Sequence, residues 1–148
     1  MRTFETFLRD AEIEVLVFGF LNRSLPRERW THATHFAAAM WMIVCRPEWD
    51  TLAEMRKRIR AYNKTVGVQN TETAGYHETI TAASVRAAKS FFQQYRGYSL
   101  CDTCNALMRS PLGSSKWPLE YWSRDLLFST QARKEWVEPD LKPVPWTL

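Results

Sequence analysis

The chain has three histidines, and all of them fall in two short motifs: Trp30-Thr31-His32-Ala33-Thr34-His35 and Gly75-Tyr76-His77-Glu78-Thr79. Imidazole has its ordinary pKa nearest neutrality, so it serves as acid, base or metal ligand. His32 and His35 are three positions apart, which on a helix puts them on one face about a turn from each other, the reach of one metal ion or one substrate. Ala39 follows on that face. In a second helix, a rotation of ~100° per residue aligns His77 with Thr81, Ser84 and Ala88, a stripe of small and polar side chains in apolar surroundings. Two such stripes facing each other leave a cavity. Imidazoles buried there cost stability unless each ring nitrogen finds a partner. At the first turn of a helix the positive end of the macrodipole disfavours imidazolium, leaving His32 and His77 as neutral rings, and it keeps Glu78 ionised.

These residues suggest a small-molecule enzyme with a three-histidine site. In its metal-dependent form His32, His35 and His77 bind a divalent ion such as Zn, Fe or Ni, suited to hydrolysis, oxidation or lyase and isomerase chemistry. Glu78 is then a fourth ligand or the base acting on bound water. In the metal-free alternative His77, Glu78 and His35 are the catalytic set of a dehydratase, cyclase or isomerase, while Trp30, Asn70, Thr71, Tyr76 and Thr81 hold the substrate. A third reading is a non-catalytic ligand-binding domain, because a single histidine is more often a hydrogen-bonded or capping residue than a ligand. The enzyme readings expect alanine at any of the three histidines to abolish turnover and leave the fold intact.

Other motifs carry less. His77-Glu78 opens the zinc pattern H-E-x-x-H, but Thr81 stands where the second histidine belongs, which rejects a thermolysin-like protease. Cys101-Asp-Thr-Cys104 lacks a second pair, since only Cys45 remains elsewhere, so a four-cysteine zinc site is excluded. The basic run Met55-Arg-Lys-Arg-Ile-Arg60 keeps apolar residues at helical spacing and reads as a solvated helix face, so no nucleic-acid partner is expected. Glycine-rich phosphate loops and the G-x-S-x-G elbow are missing, and no nucleotide cofactor is expected.

The elements that must position these side chains are helices. Apolar residues Phe4, Phe7, Leu8, Ala11, Val15 and Phe18 recur at steps of three and four, predicting a first helix over 3–22. Thr31 caps a second helix over 32–45 that is apolar nearly all round and therefore central, and Arg46-Pro47 stops it. An amphipathic third helix over 49–66 carries Leu52, Met55, Ile59, Tyr62 and Val66 inward and ends at Gly67. A polar loop over 67–75 leads into an alanine-rich fourth helix over 76–96, closed by Gly97. A fifth over 98–110 and short turns near 119–128 and 130–136 complete the pattern. The fold class expected is all-α: a compact bundle of four to five main helices with an irregular Pro-rich C-terminal arm. The whole chain, 1–148, reads as one helical domain, with the arm of about 137–148 packed on the bundle through its Trp and Leu residues.

Length and composition agree. At 148 residues, 45% hydrophobic and 24% charged, the chain has an ordinary globular make-up, with an aromatic share of 14% that includes seven Trp. A net charge of +4 permits anionic partners without demanding them. Three cysteines are no disulfide framework, no charged-apolar leader precedes the first helix, and the apolar run 15–21 is far below the ~20 residues that span a bilayer. The expectation is a reduced, cytoplasmic protein with no membrane association and a small-molecule partner, its oligomeric state left open.

The chain also resembles a family of small, uncharacterised bacterial helical proteins with W-[ST]-H-x-x-H and G-Y-H-E-T-[IL]-T motifs. The matching residues are Trp30-Thr31-His32 with His35, Tyr62-Asn63, Gly67, Asn70-Thr71 and 75–81, followed by 121–128 and 137–141. More distantly, three histidines in a small bundle are similar to the metal sites of DinB/YfiT-like proteins, whose paired histidine lies late in the chain. Their histidine spacing differs from that of this chain, and what the resemblance implies is a metal at the three histidines.

Overall fold

The computed structural model describes residues 6–146 and is all-helical, with no strand among them. The helices are α1 (Asp10–Leu21), α2 (His32–Cys45), α3 (Thr51–Thr65), α4 (Glu78–Gln94), α5 (Leu100–Arg109), α6 (Arg124–Leu127) and α7 (Thr130–Lys134). Three 3-10 turns, Arg27–Arg29, Pro111–Gly113 and Trp117–Glu120, fill the connections. No described helix is long and apolar enough to cross a membrane.

Helix boundaries follow side-chain caps. Thr31, Asp50, Ser99, Ser123 and Ser129 each accept a hydrogen bond from the backbone N–H three residues on, satisfying donors that the first helical turn leaves unpaired. His77 does the same for α4, so that helix begins at Glu78, two residues later than the alanine pattern suggests. The first helix also starts late, at Asp10. Residues 3–5 lie outside the described part of the chain, and the next ones are held away from helical geometry by α5. The Phe7 N–H donates to Asn105 Oδ1 and the Phe7 carbonyl accepts from Asn105 Nδ2, both at 2.8 Å. A buried asparagine on α5 thus satisfies a backbone residue ninety-eight positions away.

Helix α2 is the hub, packing against α1, α3, α4 and α5. Its residues Phe36, Ala37, Ala38, Ala39, Met40, Trp41 and Met42 are all buried, as an all-round apolar helix must be. Four consecutive small or flexible side chains (Ala37, Ala38, Ala39, Met40) let neighbouring helices approach closely. Ile13, Val17 and Phe20 of α1, Met55, Ile59 and Tyr62 of α3, and Ala83, Val85, Ala87 and Ala88 of α4 join the same core. Tyr62 keeps its hydroxyl satisfied there by donating to the Leu25 carbonyl at 2.8 Å.

The C-terminal segment is docked. Trp122, fully buried, donates its indole N–H to the Val137 carbonyl, and Trp146 stands edge-on to Trp117 and Tyr121. Asp140 accepts from both the backbone and the hydroxyl of Ser123. Residues 147–148 of the arm lie outside the described part. Cys101 and Cys104 are free and buried, and burial pushes the Cys104 thiol up to about 12, so the pair serves as small packing residues of α5.

Candidate functional site

A cavity of about 450 Å³ opens between α2 and α4. His32, His35, Phe36 and Ala39 line it from α2, and Ile80, Thr81, Ser84 and Val85 line it from α4, with His77 at the head of that helix. Trp30, Met55, Ile59, Tyr76, Trp117 and Pro118 complete most of the wall. All three histidines therefore face one space, but their chemical situations differ.

His77 is fully engaged. Its Nδ1 accepts the Ile80 N–H at 3.1 Å and its Nε2–H donates to the Leu127 carbonyl at 2.6 Å. Only a neutral ring protonated on Nε2 can do both, and burial lowers its pKa accordingly. A hydrogen-bonded or capping role is open to each of the three histidines from sequence alone, and the tertiary structure gives it to His77. It ties the start of α4 to the end of α6, fifty residues on. Alanine at position 77 would remove a cap and orphan a carbonyl, so such a variant is expected to lose stability whatever it does to activity.

His32 opens α2 and is half-buried, with Nε2–H donating to the Leu112 carbonyl at 2.8 Å. Its Nδ1 has no hydrogen-bond partner among the described residues. His35, one turn on, lies against the Trp30 indole with ring centroids 3.8 Å apart, and neither of its nitrogens has a hydrogen-bond partner among the described residues. Burial first, and the neighbouring His32 second, bring its pKa down to about 3. His35 is thus a neutral imidazole in a cavity with an accepting and a donating nitrogen to spare.

Glu78 faces elsewhere. Its carboxylate receives Arg56 Nε at 2.8 Å and Nη2 at 2.9 Å, and accepts the Tyr76 hydroxyl at 2.8 Å. The Arg56 guanidinium holds its pKa below the usual carboxylate range. It borders a second cavity together with Asn70 and Thr71, not the histidine one. Asn70 organises the loop: its Oδ1 accepts from Asn63 Nδ2 and the Tyr76 N–H, and its Nδ2 donates to the Arg60 carbonyl. Thr71 closes the turn, its hydroxyl accepting from the N–H groups of Thr73 and Ala74. Tyr76 is buried and borders both cavities, while Trp30 and Thr81 border the histidine cavity alone. Gly75 has φ +81° where the loop turns into Tyr76, and a side chain there would strike the backbone of Gln69 and Asn70.

Among the described residues no group of three or more His, Cys, Asp or Glu side chains is arranged to hold a metal ion. The reason is visible at His77, whose lone pair is already spent on the Ile80 N–H. His32 and His35 supply at most two imidazole donors from their own helix.

The sequence pattern did not point to the segment after α5, which the fold brings over the cavity. Leu112 holds His32, and Trp117 and Pro118 roof the space. Arg133 was missed too; its Nη1 donates to the carbonyls of Gly75 and Tyr76, pinning the loop beside both cavities. Nothing local marks these residues, since each contact joins positions about 60 to 80 apart. Comparison with models of known protein families gives no match, and neither curated proteins nor solved structures yield a significant similarity to this chain.

Proposed function

We propose that the protein acts on a small, uncharged and largely apolar organic molecule held between α2 and α4, with His35 as the group that touches it. The observation that carries this reading is the His35 ring, neutral and without a hydrogen-bond partner among the described residues, on the wall of a cavity of about 450 Å³. Pockets of this size with mostly apolar walls and a few converging polar groups are the usual form of small-molecule sites. Trp30, Phe36 and Trp117 offer flat apolar surfaces, and Thr81 and Ser84 offer hydroxyl oxygens on the wall opposite His32 and His35, the Ser84 hydroxyl donating to the Ile80 carbonyl.

A neutral imidazole with both nitrogens free accepts a hydrogen bond at one and donates one from the other, which orients and polarises a substrate carbonyl or hydroxyl for isomerisation, dehydration or cyclisation. His32, a turn away, keeps Nδ1 available as a second acceptor. The metal-free form of the enzyme reading is the one these donors support. The metal-dependent form needs His77 to release both Ile80 and Leu127. Glu78 belongs to neither as the base, because Arg56 and Tyr76 occupy its oxygens. A non-catalytic binding role is the second reading, favoured by the lack of any carboxylate among the lining residues.

The test is a screen of small aromatic and alicyclic compounds, followed by Trp fluorescence and by product analysis, on wild type and His35→Ala. A compound that binds wild type and is at least tenfold weaker in His35→Ala supports the site, and conversion of that compound identifies an enzyme rather than a binder. Equal binding or turnover by the variant overturns it. Elemental analysis by mass spectrometry after adding Zn²⁺, Fe²⁺ or Ni²⁺ checks the alternative. Near-stoichiometric metal that vanishes in His32→Ala and His77→Ala would replace the metal-free reading.

A further inference from the structure

The second cavity, about 590 Å³, lies on the other side of Tyr76 and has a different character. Arg56 and Arg60 of α3 and Arg133 and Lys134 of α7 meet there, against Glu72, Glu78 and Glu135. Two of the four cations are matched: Arg56 with Glu78 at 2.8 Å, and Lys134 with Glu72 at 3.6 Å. Arg60 and Arg133 have no carboxylate within salt-bridge distance among the described residues.

Arg133 is the more telling. Its guanidinium is fixed by two backbone carbonyls, which supply hydrogen-bond acceptors but no negative charge. Its Nε is buried and has no hydrogen-bond partner among the described residues. A partly buried cation with an unused donor is costly unless something anionic completes its environment. Arg60 lies over the Tyr76 ring, its guanidinium carbon 5.7 Å from the centroid, so it is positioned at the same wall. Arginine presents paired N–H donors that match the oxygens of a phosphate or carboxylate, and two arginines from different helices can grip one such group from two sides.

We propose that this cavity is a binding site for a small oxyanion, phosphate or a phosphate monoester, held by Arg60 and Arg133 with Lys134 at the rim. It is independent of the histidine cavity and of any reaction there. Binding neutralises the two unmatched guanidinium groups and ties α3 to α7 across the loop 67–76.

The experiment is calorimetric titration of the protein with inorganic phosphate at pH 7.5 and constant ionic strength, paired with thermal melting and with phenyl phosphate as a second probe. The expected result is saturable binding, a rise in Tm that chloride does not reproduce, and a Kd at least tenfold weaker in Arg60→Gln and Arg133→Gln. Arg60 is exposed, so Arg60→Gln retains the fold even if Arg133→Gln loosens the loop. Tighter binding of phenyl phosphate than of phosphate assigns the site to an ester, and equal binding assigns it to the free ion. Absence of saturable binding by both probes, or wild-type affinity in folded Arg60→Gln, overturns the proposal.

Discussion

The two walls of the histidine cavity use the same side chain for opposite purposes. On the α4 side His77 has both nitrogens committed, one to a helix start and one to the end of α6. On the α2 side His35 has its ring tilted against Trp30 and neither nitrogen hydrogen-bonded among the described residues. Burial lowers the pKa of both, so a depressed pKa does not separate a functional from a structural histidine. What separates them is the hydrogen-bond account of each nitrogen.

The largest effect that would break this comparison is on stability at position 77. His77→Ala should cost about 2–4 kcal/mol, the sum of a lost cap and an orphaned carbonyl, measured by urea unfolding. His77→Asn, whose side-chain oxygen can accept the Ile80 N–H, should recover about 1 kcal/mol of it. An unchanged midpoint in His77→Ala would show that the ring is not structural.

Acid sharpens the same contrast. Both histidines have folded pKa values below their unfolded ones, so the unfolded chain takes up protons first as pH falls. Their contribution is fully present above ~6.5 and is lost progressively below it, down to about 3 for the part due to His35. Urea midpoints should therefore fall between pH 7.5 and 5, before Glu78, whose pKa is also lowered, begins to contribute below ~4.5. The fall should be shallower in His35→Phe. A flat profile in wild type over that range would refute the neutral-ring assignment of both residues.

A smaller change is expected at position 35 itself. His35→Ala loses a tilted ring contact with Trp30 of ~0.5–1.5 kcal/mol but also removes two ring nitrogens without hydrogen-bond partners among the described residues, so its net effect should stay within about 1 kcal/mol. The ratio of the two alanine effects is the quantity to compare, since it reports structural against free use of the imidazole. Smallest of all is Arg56→Gln. The pair it breaks has an arginine side chain 41% exposed, and such pairs contribute ~0.2–1 kcal/mol, read from the same unfolding curves. A loss above that range would mean that Glu78 supports the loop and α4 more than its geometry indicates.

Much of the helical frame was legible locally. Thr31 as the cap of α2, the all-round apolar run that makes α2 central, the amphipathic face of α3 and Gly67 at its end are properties of neighbouring residues, and neighbours decide helix starts, stops and faces. The alignment of His77, Thr81 and Ser84, and of His32 with His35 and Ala39, follows from helical rotation alone, and all six side chains border one cavity. The start of α1 was misplaced because Asn105, far along the chain, captures the backbone of Phe7 before a helix can include it.

The residue types, their spacing and therefore the helices and the faces that carry histidine were determined by the sequence itself. Which imidazole is spent and which is free was decided by the tertiary structure. That choice depends on where the carbonyls of Leu112 and Leu127 come to rest, and the packing of short helical segments fifty to eighty residues away places them. The same holds for Glu78: its position at a helix start is local, but its pairing with Arg56 required α3 to lie beside α4. Helical periodicity has a range of a few residues, whereas hydrogen-bond satisfaction is settled only when distant backbone is brought into contact.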